Sequence, residues 1–298
     1  MVGPVCHLSC HDYTEAMTFT GLIGVIVNFP LRAIIWMCVK LRISPNVLTL
    51  TGVVINVVAA WELAHGRFLS AGAWIALANI FDYIDGKVAA ERNMVTQFGA
   101  FFDSVMDRIS DITLFIGLIA LYNELGTGHR DLVLITSLAM MFAVMTSYTR
   151  ARAESLIEKC KVGFMERPER IVSLMLGALT NRMAAVIWVI LVLSIVTVLD
   201  RIFFTWRDLK AGRSLSAVNA GTAPPPIPGT QPGIVTRALT LPVLVIWRGL
   251  FWTYDRGSWQ YDVMVLIILG FVYLTPPGWL SDPMAPHGQG LLQWLLAR

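Results

Sequence analysis

Charge is what this sequence has least of. Only 14% of its 298 residues are Asp, Glu, Lys or Arg, while 56% are hydrophobic. That balance excludes an ordinary soluble domain and fits a chain that crosses a membrane several times. The net charge is a modest +3, so no nucleic-acid partner is expected. Cysteine is scarce as well. Cys6, Cys10, Cys38 and Cys160 make up the whole set, with no disulfide framework, which is compatible with a reducing compartment. The N-terminus lacks a basic stretch followed by a short apolar run and a small-residue cleavage site. No signal peptide is expected, and the first membrane segments are expected to act as uncleaved signals. No repeat of solenoid or propeller period is present.

What the chain has in quantity is apolar runs. Residues 18–41 are apolar but hold Asn28, Pro30 and Arg32. They read as a juxtamembrane helix lying in the interface, kinked near Pro30. Spanning helices are expected over about 46–65, 70–90, 98–124 and 131–155. A fifth is expected from near Pro168 to a turn at Asn181-Arg182, and a sixth over about 183–206. The expected fold is therefore all-α and polytopic. It has a segment 1–45 with the juxtamembrane helix, a six-transmembrane-helix core 46–210, a Pro/Gly-rich linker 211–233 and a C-terminal membrane-associated apolar extension 234–298. Lys40, Arg42, Lys87, Arg92, Arg150, Arg152 and Arg207 fall on one side of this topology, and Arg67, Arg130 and Arg182 on the other. The more basic side is expected to face the cytoplasm.

That side also holds Asp82, Asp85, Asp103 and Asp107. The first two are three residues apart and the last two four apart, so each pair shares one helical face. A carboxylate at mid-bilayer costs roughly 2.5–3.5 kcal/mol, and four together about 10 kcal/mol before repulsion. Bound divalent cations would offset that cost. No cysteine or histidine lies within the motif, so hard carboxylate oxygens would favour Mg²⁺ or Mn²⁺ over zinc. Two such ions roughly 3.5–4 Å apart would clamp a phosphate during displacement at phosphorus. Gly86, Ala89 and Gly99 are small, which is expected to let the two backbones approach closely. A buried structural network or a cation path is the alternative. The transporter or channel reading, however, would place acids at several depths, and here they crowd one end.

The pattern resembles the signature of the CDP-alcohol phosphatidyltransferase family, Asp-x2-Asp-Gly-x2-Ala-Arg-x8-Gly-x3-Asp-x3-Asp. It matches at Asp82, Asp85, Gly86, Ala89, Gly99, Asp103 and Asp107 and departs at Ala90, where the family has Arg. Arg92 is the candidate replacement. The resemblance covers roughly residues 40–210. It implies transfer of a phosphatidyl group from CDP-diacylglycerol to an alcohol, with release of CMP. It also implies Asp82, Asp85, Asp103 and Asp107 as ligands of two ions, with Asp107 doubling as general base. Pro45, Asn46, Gly86 and Thr96 are implied near the nucleotide, with Thr49 part of the same Pro-Asn-x-x-Thr entry. For Pro45 and Asn46, ordinary helix initiation is the other explanation. Homodimerisation is implied by the resemblance alone, as is a bacterial cytoplasmic membrane.

A second constellation is Ser147-Tyr-Thr-Arg150-Ala-Arg152-Ala-Glu154, followed by Arg167-Pro-Glu-Arg170. Single arginines near a membrane surface often snorkel to headgroups. Four in two tight clusters suggest a pocket for an anion, because guanidinium forks match phosphate oxygens. These segments resemble the phosphatidylinositol-phosphate synthase branch, with Arg150 in place of that branch's Lys. The resemblance implies Ser147, Arg150 and Arg170 as binders of an acceptor phosphate, supported by Arg152, Arg167 and Arg201. Inositol phosphate is the expected acceptor and glycerol 3-phosphate its rival. Cys6, His7, Cys10 and His11 do not form a strong zinc pattern. Trp247, Trp252, Tyr254 and Trp259 read as an interfacial belt.

Overall fold

The computed structural model describes residues 31–212 apart from 33, together with 259–275, 280, 282 and 283. The Cys6–His11 cluster, Pro30, the linker 213–233, and Trp247, Trp252 and Tyr254 lie outside these residues. No strand occurs among the described residues. The helices are α1 (Pro45–Ala64), α2 (Phe68–Glu91), α3 (Gln97–Glu124), α4 (Arg130–Glu154), α5 (Arg167–Leu179), α6 (Met183–Lys210) and α7 (Trp259–Leu274), with one 3₁₀ turn at Thr127–His129.

Among the described residues, three stretches are long and apolar enough to cross a membrane: Pro45–Ala64, Thr127–Glu154 and Met183–Lys210. The chain is accordingly a membrane protein. Helices α2 and α3 match these in length, at 24 and 28 residues, but carry the four aspartates. Helix α5, in the place of the expected fifth span, has only 13 residues. At 1.5 Å per residue that is about 20 Å, against a hydrocarbon thickness of about 30 Å.

The chain folds as two compact units, each discontinuous in sequence. Of the described residues, one holds those up to Val54 together with Leu77–Asp107, and the other holds Ile55–Ala76 together with those from Arg108 onward. In the first unit, local signals build the turns. A helical stretch over 34–40 ends with Arg42 at φ 55°, and Pro45 opens α1, where its missing N–H has no partner to lose. Ile35 and Cys38 pack with Leu48, Ile84 and Val88 as a small apolar core. Helix α2 stops at Asn93, φ 52°, where the Met94 amide donates to the Ala89 carbonyl at 2.9 Å. This is a Schellman ending, which asparagine tolerates. Thr96 then caps α3 by accepting the Gly99 amide at 3.0 Å. The chain thus reverses between the two aspartate pairs within five residues, 92–96.

The second unit holds the main core, including Leu63, Ile75, Leu114, Leu118, Ala139, Leu174 and Ile187. Gly117 lies so close to α1 that a Cβ would collide with the Ala60 carbonyl. The segment before α5 is strapped to α6. The Met165 amide donates to the Thr197 hydroxyl at 3.1 Å, and Arg201 Nε donates to the Val162 carbonyl at 2.9 Å. Two tail contacts fasten the start of α6. The Ala184 amide donates to Asp282 Oδ2 at 3.2 Å, and Arg182 Nη1 donates to the Thr275 carbonyl at 2.7 Å.

Candidate active site

The first unit gathers the acids. Asp82, Asp85 and Asp103 each offer a carboxylate oxygen, and the three atoms lie within 4.8 Å of one another. Asp85 is buried. The Thr49 hydroxyl donates to its Oδ2 at 2.5 Å, tying α1 to α2. Two full charges at 4.8 Å repel by roughly 3–4 kcal/mol at an effective dielectric near 20. Three hard oxygen donors so placed, with no thiolate or imidazole among them, fit a divalent cation of the Mg²⁺ or Mn²⁺ kind. Asp107 lies outside this trio, half-buried and one turn beyond Asp103 on α3.

Beside the trio is a cavity of about 200 Å³. Pro45, Asn46 and Thr49 line it from α1, Gly86 and Ala89 from α2, and Thr96, Gly99 and Asp103 from the turn and α3. Gly86 and Gly99 do not serve the purpose expected of them from the sequence. A Cβ on Gly86 would meet no atom within 4 Å, and one on Gly99 would meet only the Thr96 hydroxyl, at 3.1 Å. Gly86 therefore leaves space open instead of letting backbones touch. Arg92 does not line the cavity; its Nη1 donates to the Ile43 carbonyl at 2.7 Å. A larger cavity of about 520 Å³ lies between α6 and α7 in the second unit, but its lining is wholly apolar and offers no reacting group.

The second unit gathers the arginines. Glu166, at the N-cap of α5, accepts from Arg150 Nη1 at 2.8 Å and from Arg201 Nη2 at 3.2 Å through one oxygen. Arg150 also meets Glu154 at 3.1 Å. Arg201 donates to the Thr146 carbonyl, and Arg170 donates to the Thr146 hydroxyl at 2.8 Å. Arg170 Nη2 pairs with Asp111 at 2.6 Å, and Arg167 Nε lies 3.6 Å from the other oxygen of Asp111. Arg150, Arg167, Arg170 and Arg201 thus form one continuous network. Arg152 is exposed and donates to the Ser155 hydroxyl at 3.2 Å. Ser147 is half-buried on α4, next in sequence to Thr146. Desolvation in the loop after α4 pushes the Cys160 thiol above its ordinary value, Arg201 opposing that shift.

Sequence reasoning overlooked Asp111, Thr146 and Glu166 as members of this cluster. Only Asp111 had a visible signal: it continues the spacing of Asp103 and Asp107 by four residues into an otherwise apolar stretch.

A family model for CDP-alcohol phosphatidyltransferases matches residues 42–207. The chain belongs to that family. It is 35% identical over 177 residues to the archaetidylinositol phosphate synthase of Methanothermobacter thermautotrophicus, covering 57% of this chain and 87% of the relative. It is 34% identical over 166 residues to the phosphatidylinositol phosphate synthase of Mycobacteroides abscessus, covering 53% and 75%. Among solved structures, the phosphatidylinositol phosphate synthase of Mycobacterium tuberculosis with CDP-DAG bound superposes with a TM-score of 0.56 at 28% identity. That match covers 63% of this chain and 96% of the other. The same enzyme in complex with manganese and citrate gives the same TM-score and identity, covering 63% and 91%. This CDP-alcohol phosphatidyltransferase is therefore an enzyme of phospholipid biosynthesis, and residues after 207 lie beyond the family match.

Proposed function

We propose that the enzyme transfers the phosphatidyl group of CDP-diacylglycerol to a hydroxyl of inositol phosphate and releases CMP. The observation that carries the acceptor assignment is the network of Arg150, Arg167, Arg170 and Arg201. A neutral polyol has no use for four guanidinium groups, whereas a phosphate monoester has. Ser147 and Arg152 are secondary candidates for the same anion. On the donor side, Pro45, Asn46, Gly86 and Thr96 line the cavity that would take the nucleotide, and Arg92, the candidate replacement for the family's arginine at Ala90, would have to leave the Ile43 carbonyl to reach it.

Asp82, Asp85, Asp103 and Asp107 would hold two Mg²⁺ or Mn²⁺ ions. Bound there, divalent cations neutralise the pyrophosphate and the charge that develops at phosphorus. The remaining steps belong to the chain. Asp107 accepts the proton of the acceptor hydroxyl. The hydroxyl oxygen bonds to the phosphorus that bears diacylglycerol, the bond from that phosphorus to the bridging oxygen breaks, and CMP leaves with that oxygen. The reading includes a helical membrane core over 46–210 in the cytoplasmic membrane, in which α5 is too short for a full crossing on its own, its acidic end facing the cytoplasm, with 211–233 as linker and 234–298 as a membrane-associated extension.

The test is an acceptor panel. Purified protein receives labelled CDP-diacylglycerol with inositol phosphate, glycerol 3-phosphate or free inositol, each with Mg²⁺, Mn²⁺ or chelator. Metal-dependent CMP release with inositol phosphate and little with free inositol is expected. Absence of an inositol-phosphate lipid product overturns the assignment, and product with glycerol 3-phosphate alone moves it to that acceptor.

A further inference from the structure

Arg170 is enclosed, only 2% exposed. Asp111 Oδ2 accepts from its Nη2 at 2.6 Å, and from its Nη1 the Thr146 hydroxyl accepts at 2.8 Å and the Met165 carbonyl at 3.4 Å. Its Nε has no protein acceptor within hydrogen-bond distance. Asp111 is itself buried, on a stretch of α3 where Leu114, Phe115 and Leu118 face the core. Removing a carboxylate and a guanidinium from water costs about as much as their attraction returns, and apolar residues of similar volume would join the helices as well. A buried pair in such a place is a weak device for stability. It is a strong one for fixing the plane of a guanidinium, on which two-pronged recognition of phosphate depends.

We propose that Asp111 is a positioning residue of the acceptor site, holding the Arg170 guanidinium in the one orientation from which its remaining N–H groups meet the acceptor phosphate. The proposal rests on the reading of Arg170 as an acceptor ligand. Asp111 itself touches neither substrate nor the reacting atoms.

The test is steady-state kinetics of the full-length enzyme with CDP-diacylglycerol and inositol phosphate, comparing wild type, Asp111→Asn, Arg170→Lys and the double variant. Asp111→Asn should raise the acceptor KM roughly ten- to a hundredfold while the CDP-diacylglycerol KM stays within about twofold. In the Arg170→Lys background the further effect of Asp111→Asn should shrink, because the group it orients has gone. Equal rises in both KM values, or full additivity, overturn the proposal and leave Asp111 a packing residue. Should Asp111→Asn fail to fold, Asp111→Glu keeps the charge but moves it by one methylene. A selective rise in acceptor KM then supports the proposal, and an unchanged KM overturns it. A wild-type enzyme inert with every phosphate monoester sinks the acceptor reading and this one with it. A wild-type enzyme active with one of them, whose KM no Asp111 variant shifts, sinks this proposal alone.

Discussion

In the first unit three carboxylates crowd within 4.8 Å of one another, whereas in the second Asp111 and Glu166 each meet arginines at hydrogen-bond distance. The first arrangement is uphill for the bare protein, and a bound cation would relieve it. The second is nearly balanced by the chain itself, since its guanidinium groups already have carboxylate partners within the protein. Acids of the same type thus have opposite effects on stability according to what they face. A like-charge cluster stores repulsion that a ligand releases. A mixed cluster holds its members in place before the ligand arrives.

Paired substitutions would test that contrast most sharply. On the proposed reading Asp103→Asn should lower turnover at least about a thousandfold, because an ion ligand would be lost where charge develops. It should leave the melting temperature in detergent unchanged or higher, since it removes repulsion. Asp111→Ala should instead lower stability by about 3–5 kcal/mol in denaturant titration, because it leaves Arg170 buried without its counter-charge. If both variants lose stability alike, the two clusters do not differ in the way described. A smaller effect is expected at Gly86. The Gly86→Ala methyl enters open space, so stability should hold or rise by up to about 1 kcal/mol. The KM for CDP-diacylglycerol should nevertheless rise about tenfold from overfilling a fitted site. An unchanged KM would mean that the cavity is not where the donor sits. Smallest is Thr96→Ala, which removes the cap of α3 and should cost about 1 kcal/mol in the same titration. No loss there would show that the reversal between the aspartate pairs does not depend on its cap.

Much of this was legible in the sequence, and the reasons are local. Helices expected over 98–124 and 131–155 occur at Gln97–Glu124 and Arg130–Glu154, because apolar runs bounded by polar turns leave little choice. The aspartate motif was readable because four acids in register are conspicuous in a chain with so little charge. The parts that escaped depend on pairing at a distance. Asp111 and Arg170 are 59 residues apart, and Thr146 and Arg201 are 55 apart. Neither pairing has a spacing that periodicity could find. Gly86 was visible as a small residue, but only coordinates distinguish a glycine that admits a neighbouring backbone from one that leaves room for a ligand. Arg92 and Arg152 met the charge criterion. Their hydrogen bonds to the Ile43 carbonyl and the Ser155 hydroxyl depend on where the chain turns.

The contacts from Asp282 to the Ala184 amide and from Arg182 to the Thr275 carbonyl bear on how this chain can be compared with shorter relatives. A truncation just past Lys210 would strip an acceptor from the buried opening turn of α6 and take away the carbonyl that anchors Arg182. The extra length works as a latch on the helix that also carries Arg201, so the shortened protein would be a loosened version of this enzyme.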